Sequence, residues 1–231
     1  MSKFCIDAGH NHSGVDTGAR GSRYNEQDLS FLIANELRKI IENAGHSVKM
    51  TRNTITSNVS GVTVSESLSS RAKISNDYGA DYFISIHLNS GGGVGTETYV
   101  LQKGGQAERF ANEIQKNLIN LGRTNRCVKT GNFAVLRLTN CPAVLVEVGF
   151  IDNAAEEKWI SENVNSIARA IADAYGVTEI AEPMSATEAI AYLTQSGIIT
   201  EPDKWYQGTW DDDDFKWLIR KCAQYIKDNI K

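Results

Sequence analysis

Between Ala143 and Phe150 the chain reads AVLVEVGF, a short apolar, β-branched run of the kind that forms a strand buried on both faces. Into its far end is set one carboxylate, Glu147, followed by Gly149. A charge in such a strand is costly unless a cation pairs with it or it opens on a cleft. The run alone is compatible with either. What narrows the choice is that three further runs with strand character deliver His10, Arg52 and His87 near their own ends.

Strand and helix patterns alternate along most of the chain. Strands are expected at Lys3–Asp7, His46–Arg52, Asp81–Leu88, Thr96–Leu101, Phe133–Leu138 and Ala143–Phe150. Helices are expected over about Glu26–Ala44, Glu66–Tyr78, Ala107–Leu121 and Ala154–Tyr175, on the 3.6-residue spacing of their apolar residues. Asn25 stands at the N-cap of the first, and Gly45 and Gly79 stop the first two. The polar stretch 53–65 reads as a surface loop rimming whatever site exists. This alternation predicts an α/β fold: a mostly parallel, twisted sheet of about six strands with helices on both faces. Ligands of such folds bind at the carboxyl ends of the strands, where His10, His87 and Glu147 all fall.

After Gly176 the pattern changes. Residues 178–184 read as a linker, with Pro183 barring a continuous helix. Residues 185–231 are expected to form a small all-α domain, opened by the capping pattern Ser185–Glu188 and closed in its first helix by Gly197. Asp211–Asp214 sit where acidic side chains favour a helix N-terminus, so this charge run has an ordinary structural explanation. Trp205, Tyr206, Trp210 and Trp217 must supply much of so small a core. The domains expected are thus 1–177, a catalytic unit, and 185–231, a helical unit. Met184 at their border is a candidate internal translation start.

Composition excludes several functions. A net charge of −4 leaves no basic footprint for nucleic acid. No apolar run approaches the roughly 20 residues that span a bilayer, and Met1–Lys3 lead into a strand with no signal-peptide core. Synthesis in the cytoplasm is therefore expected. The four cysteines show no C-x-x-C spacing, which argues against a structural zinc site or a disulfide scaffold. A Cys127–Cys141 bridge stays open, with reduced thiols the simpler expectation.

Of the four histidines, His10 and His87 lie at strand ends, His12 lies two residues into a glycine-rich loop, and His46 starts a strand and is expected to be exposed. Zinc catalysis needs about three nitrogen or oxygen ligands, an open position for water and a nearby carboxylate. Glu26, in the first helical turn after the His10 loop, could be a ligand or could simply complement the helix dipole. The residues alone do not choose.

Four stretches together resemble the zinc-dependent N-acetylmuramoyl-L-alanine amidases of bacterial autolysins and phage endolysins, the amidase-3 family. They are DAGH at 7–10, NEQDLS at 25–30, SIHLN at 85–89 and PAVLVEVGFIDN at 142–153. VKMTR at 48–52, RAKISND with YGADYFISIH at 71–87, and FAVLR at 133–137 support the likeness, which covers about residues 2–176. The resemblance implies that His10, Glu26 and His87 hold Zn2+ and that Glu147 is the catalytic carboxylate. It also implies peptidoglycan as the partner and action on the cell wall after release, as a phage endolysin or a host autolysin. A non-catalytic wall-binding protein on the same fold is the rival. The family's glycine pair after the first histidine is replaced here by Asn11 and His12, and His12 is expected to be a surface residue. GIITEPDKWY at 197–206 resembles short helical modules of wall hydrolases, for which wall attachment or oligomerisation is expected.

Overall fold

The computed structural model describes residues 1–177 and 186–207, with the single positions 214, 217, 218, 221 and 222 beyond them. The chain divides into two compact units, Met1–Glu179 and Ile180–Lys231.

The first unit follows the expected alternation. Its elements are β1 (Lys3–Ala8), α1 (Glu26–Asn43), β2 (Ser47–Met50), α2 (Val64–Tyr78), β3 (Tyr82–Asn89), β4 (Thr96–Val100), α3 (Gln106–Asn120), β5 (Asn125–Thr130), α4 (Ala134–Arg137), β6 (Ala143–Phe150), α5 (Ala154–Glu162) and α6 (Val164–Asp173). The six strands form one sheet in the order β2-β1-β3-β6-β4-β5. All neighbours run parallel except β4, which is antiparallel to β6. From β1 the chain goes to β2 on one side and then crosses to β3 on the other. The carboxyl ends of β1 and β3 therefore flank a switch point, where the departing backbones leave a crevice.

Each face of the sheet has its own apolar cluster. Phe4, Ile6, Ile84, Ile86, Val144 and Val146 pack with α1, α3 and α6. Cys5, Phe83, Ala143 and Leu145 alternate with them along the same strands and face Val135 and Leu136 of α4, with Leu68 and Ile74 of α2 packed alongside. Glu147 continues the Ala143–Leu145 series, so its side chain shares the face covered by α2 and α4. Near the carboxyl edge the two helices border an open pocket.

Two expected elements differ. FAVLR was expected in a strand at Phe133–Leu138 and instead holds the single-turn helix α4, while the fifth strand is the polar segment Asn125–Thr130. The long helix expected over Ala154–Tyr175 is two helices. It breaks at Asn163, whose side chain donates to the carbonyl of Trp159 (2.8 Å) and whose backbone leaves the helical region (φ −123°, ψ 22°). The N-cap of α1 is Asn25, but its side chain hydrogen-bonds Asp28 instead of an end N–H. α2 carries a full capping box between Thr63 and Glu66. All four cysteines are free, so no Cys127–Cys141 bridge forms.

In the second unit, α7 (Ala186–Gln195) and α8 (Pro202–Tyr206) are helical. Gly197 follows α7 with a left-handed φ of 69°, the backbone role expected of it. Trp205 is half-buried and Trp217 is exposed, so the latter does not serve the core. The linker, Met184, Ser185, Trp210 and Asp211–Asp213 lie outside the described residues.

Candidate active site

β1 ends at Ala8, and Gly9 and His10 follow at the crevice. A side chain at position 9 would meet the His87 ring at 2.5 Å, so only glycine lets the two histidine-bearing strands approach. His10 itself adopts a left-handed φ of 62°, uncommon for a residue with a side chain. This turns its imidazole back over the sheet, 4.8 Å from the His87 ring and edge-on to it.

Glu26 opens α1 and is buried. His10 Nε2 and His87 Nδ1 lie 3.0 and 3.1 Å from the same oxygen, Glu26 Oε1. The Leu88 N–H also donates to Oε1 (3.0 Å), and the Ala19 N–H donates to Oε2 (2.9 Å). Burial would raise the Glu26 pKa, but the hydrogen bonds from both histidines outweigh it and hold the carboxylate below its ordinary range. The Glu26 side chain thus turns into the crevice, toward both histidines. One ligand atom from each of His10, Glu26 and His87 lies within 4.8 Å of the others.

Behind this trio stands a polar network that sequence reasoning missed. Asp16 Oδ1 accepts from His10 Nδ1 (3.2 Å), and its Oδ2 accepts from the Ser67 hydroxyl (2.8 Å). Arg71 reaches both Asp16 (3.3 Å) and the fully buried Asp7 (2.8 Å). Asp7 also accepts from Thr51 and Ser85. Burial opposes the imidazolium of His10, but its bonds to Asp16 and Glu26 win and lift its pKa to about 10. A clue was present in α2, whose inward residues Ser67, Arg71 and Ser75 recur at helical spacing as polar groups.

Arg52 does not face the crevice. It is buried behind it, donating to the carbonyls of Ala8, Gly9 and Gln27 and so stiffening the turn that aims His10. Asn11, one of the two departures from the family pattern, is buried and hydrogen-bonds Val59 and Arg71, tying the 53–65 loop to the His10 turn. His12 is exposed, as expected, whereas His46 is half-buried and accepts from the Ser2 N–H.

Glu147 lies opposite His87 in the β3–β6 register. Its Oε2 is buried and has no hydrogen-bond partner among the described residues. Burial, the largest influence, lifts its pKa to about 7, with His87 pulling down and Glu26 and Glu97 pushing up. His10, Glu26, His87 and Glu147 all line one pocket of about 380 Å³. Val64 and Leu68 of α2 and Phe133 at the start of α4 form its apolar wall. Two imidazole nitrogens and a carboxylate oxygen converging beside an unpaired carboxyl suit a divalent cation with N/O preference and an open coordination position.

Comparison with known proteins agrees with this geometry. The N-acetylmuramoyl-L-alanine amidase family, Amidase_3, matches residues 4–177. The N-acetylmuramoyl-L-alanine amidase CwlM of Bacillus licheniformis is 36% identical over 204 residues, 85% of this chain and 78% of its own length. The endolysin of Bacillus phage SPP1 is 33% identical over 192 residues, and the match spans 78% of this chain and 66% of that protein. Among solved structures, the catalytic domain of CwlV, an N-acetylmuramoyl-L-alanine amidase from Bacillus (Paenibacillus) polymyxa var. colistinus, superposes with a TM-score of 0.67 at 33% identity. That match covers 77% of this chain and all of that one. The shared fold and a family match running through nearly the whole first unit make this chain a member of the N-acetylmuramoyl-L-alanine amidase family.

Proposed function

We propose that the protein is a peptidoglycan hydrolase that cleaves the amide joining N-acetylmuramic acid to L-alanine. Family membership supports the reaction. The observation that carries the assignment of residues is the unpartnered Oε2 of Glu147, buried in the pocket that the His10–Glu26–His87 trio lines. A buried polar atom without a partner is costly, and a wall-binding surface would have no use for it.

His10, Glu26 and His87 would hold Zn2+, with Asp16 fixing the His10 tautomer through Nδ1. Bound there, the metal would polarise the scissile carbonyl and acidify a water. Glu147 supplies the proton handling: with a carboxyl titrating near neutrality, it accepts a proton from the attacking water and returns it to the leaving amine. The apolar wall of Val64, Leu68 and Phe133 excludes competing water and packs against the uncharged parts of the substrate. In this reading residues 185–231 form an all-α attachment module for the wall, as an endolysin or autolysin would carry.

The test is muropeptide analysis of purified Gram-positive walls treated with wild type, Glu147→Gln and His10→Ala, with bound zinc measured in each. Wild type should release intact stem peptides and hold one zinc per chain. Glu147→Gln should keep the zinc and release nothing, whereas His10→Ala should lose both. Wild-type protein that holds zinc yet releases no stem peptide would overturn the assignment.

A further inference from the structure

On the open face of the sheet a row of polar side chains continues past Glu147. In the antiparallel β4–β6 pair Glu97 stands directly opposite Glu147. Two like charges in that relation repel, so the second carboxylate needs compensation. It is supplied from the edge strand. Glu97 is buried, and its Oε2 accepts from Arg126 Nε (2.8 Å) and Lys129 Nζ (2.5 Å). Its Oε1 accepts from Asn89 (2.9 Å) and the Tyr99 hydroxyl (2.8 Å).

A regular strand could not place both cations there. Residues three apart point to opposite faces of a strand with a two-residue period. The β4–β5 register slips between Thr96 and Thr98, so that Arg126 and Cys127 together oppose Glu97. Cys127, with a φ of 71°, is the bulged residue. The extra residue turns Arg126 and Lys129 onto one face. Holding a β-strand cysteine in the left-handed region costs free energy, so the bulge is a strained feature of the strand. The cluster carries two cations against one anion, and both cations are more than one-third exposed, at 36% and 38%. Arg126 spends only Nε on Glu97, which leaves its two Nη groups without a hydrogen-bond partner among the described residues.

We infer that Arg126 and Lys129 form a subsite for a carboxylate of the substrate's peptide, one residue beyond the alanine at the cleaved amide. This rests on the amidase reading above and extends it to specificity. β5 lies two strand spacings from β6, roughly 10 Å. A peptide extending from the amide reaches its second residue within about 7 Å, and the long cationic side chains span the remainder. The free Nη pair offers a carboxylate two parallel donors, and Lys129 adds a second charge. Glu97 holds both cations in place and neutralises one of them.

The experiment uses the full chain with zinc bound and two synthetic muramyl peptides. Both end in a carboxamide and differ only in whether the second residue's free carboxyl is a carboxylate or a carboxamide. Wild type should favour the carboxylate by on the order of 10-fold in kcat/KM. Arg126→Gln, which leaves Lys129 to compensate Glu97, should bring that preference down to about 2-fold or less, read as the ratio of kcat/KM on the two peptides so that a general loss of activity cancels. Equal wild-type rates on the two peptides would overturn the subsite without needing any variant, as would a preference that survives the substitution. A loss of equal size on both peptides would mark a structural role for the cations and also overturn it. Cleavage of neither peptide would sink the amidase reading itself, a result distinct from all of these.

Discussion

Asp7 and Glu147 are both carboxylates set into buried strands at the same edge of one sheet, and their surroundings are opposite. Asp7 is fully enclosed and accepts from Thr51, Ser85 and Arg71, which together hold its pKa below the usual carboxylate range although burial pushes the other way. Glu147 has an oxygen with no partner, and burial carries its pKa up to about 7. The first has the signature of a group that holds structure together. The second leaves an acceptor open in the pocket. Both are carboxylates with enclosed oxygens, Asp7 fully buried and Glu147 half-buried, and it is the hydrogen-bond inventory that separates them.

Substitution at the two positions should therefore fail in different assays. Glu147→Gln should lower turnover of cell-wall substrate by about 10²–10⁴-fold, with little change in melting temperature at pH 5. Asp7→Asn leaves the buried Arg71 guanidinium with Asp16 as its remaining carboxylate and should cost about 2–4 kcal/mol of stability, a fall of several degrees in a thermal melt. If Asp7→Asn melted like wild type, the contrast would be wrong.

pH sharpens the same comparison. Glu147 titrates higher in the folded chain than in the unfolded one, so its cost is absent below about pH 4.5 and is felt as pH rises toward 7. Metal-free Glu147→Gln should accordingly match wild type at pH 4 and exceed it at pH 8, by up to about 3 kcal/mol in denaturant titration. Asp7 has the reverse sign. Its contribution is present above its ordinary pKa and is lost as acid protonates it, so the gap between wild type and Asp7→Asn should close at low pH.

Two smaller effects probe the parts that join these regions. Asp16→Asn weakens the grip on His10 Nδ1 and should lower zinc affinity about 10–100-fold in chelator competition, with the fold intact. Thr63→Ala removes the cap of α2, which carries Val64 and Leu68 into the pocket, and should cost about 1 kcal/mol.

Much of the fold is legible in the sequence. Strands β1, β3 and β6 announce themselves because burial on both faces demands continuous apolar runs, and the gathering of His10, His87 and Glu147 at their ends follows from topology, whereas the place of Glu26, on a helix, does not. The segment FAVLR was misread because a run so short fits a strand or a helical turn equally well. β5 was missed for a complementary reason. As a half-exposed edge strand with a bulge at Cys127, NRCVKT has lost the two-residue alternation that would reveal it. Asp16 and Arg71 escaped because a polar network is a property of contacts across 51 to 64 residues of chain, to which local patterns are blind.

The reversal of β4 has a consequence for how such a protein changes. In a wholly parallel sheet, every side chain at the ligand edge comes from the end of a strand. Here β4 and β5 point the other way, so Glu97 and Arg126 reach that edge from the beginnings of their strands. The cleft is thus edited from two independent sources. The loop leaving β1, the start of α1 and the end of β3 hold the His10–Glu26–His87 half, whereas the starts of β4 and β5 carry Glu97 and Arg126. Insertions before Thr96 or Asn125 can alter which peptides are accepted while the hydrolytic half stays untouched, and chemistry and taste can drift separately.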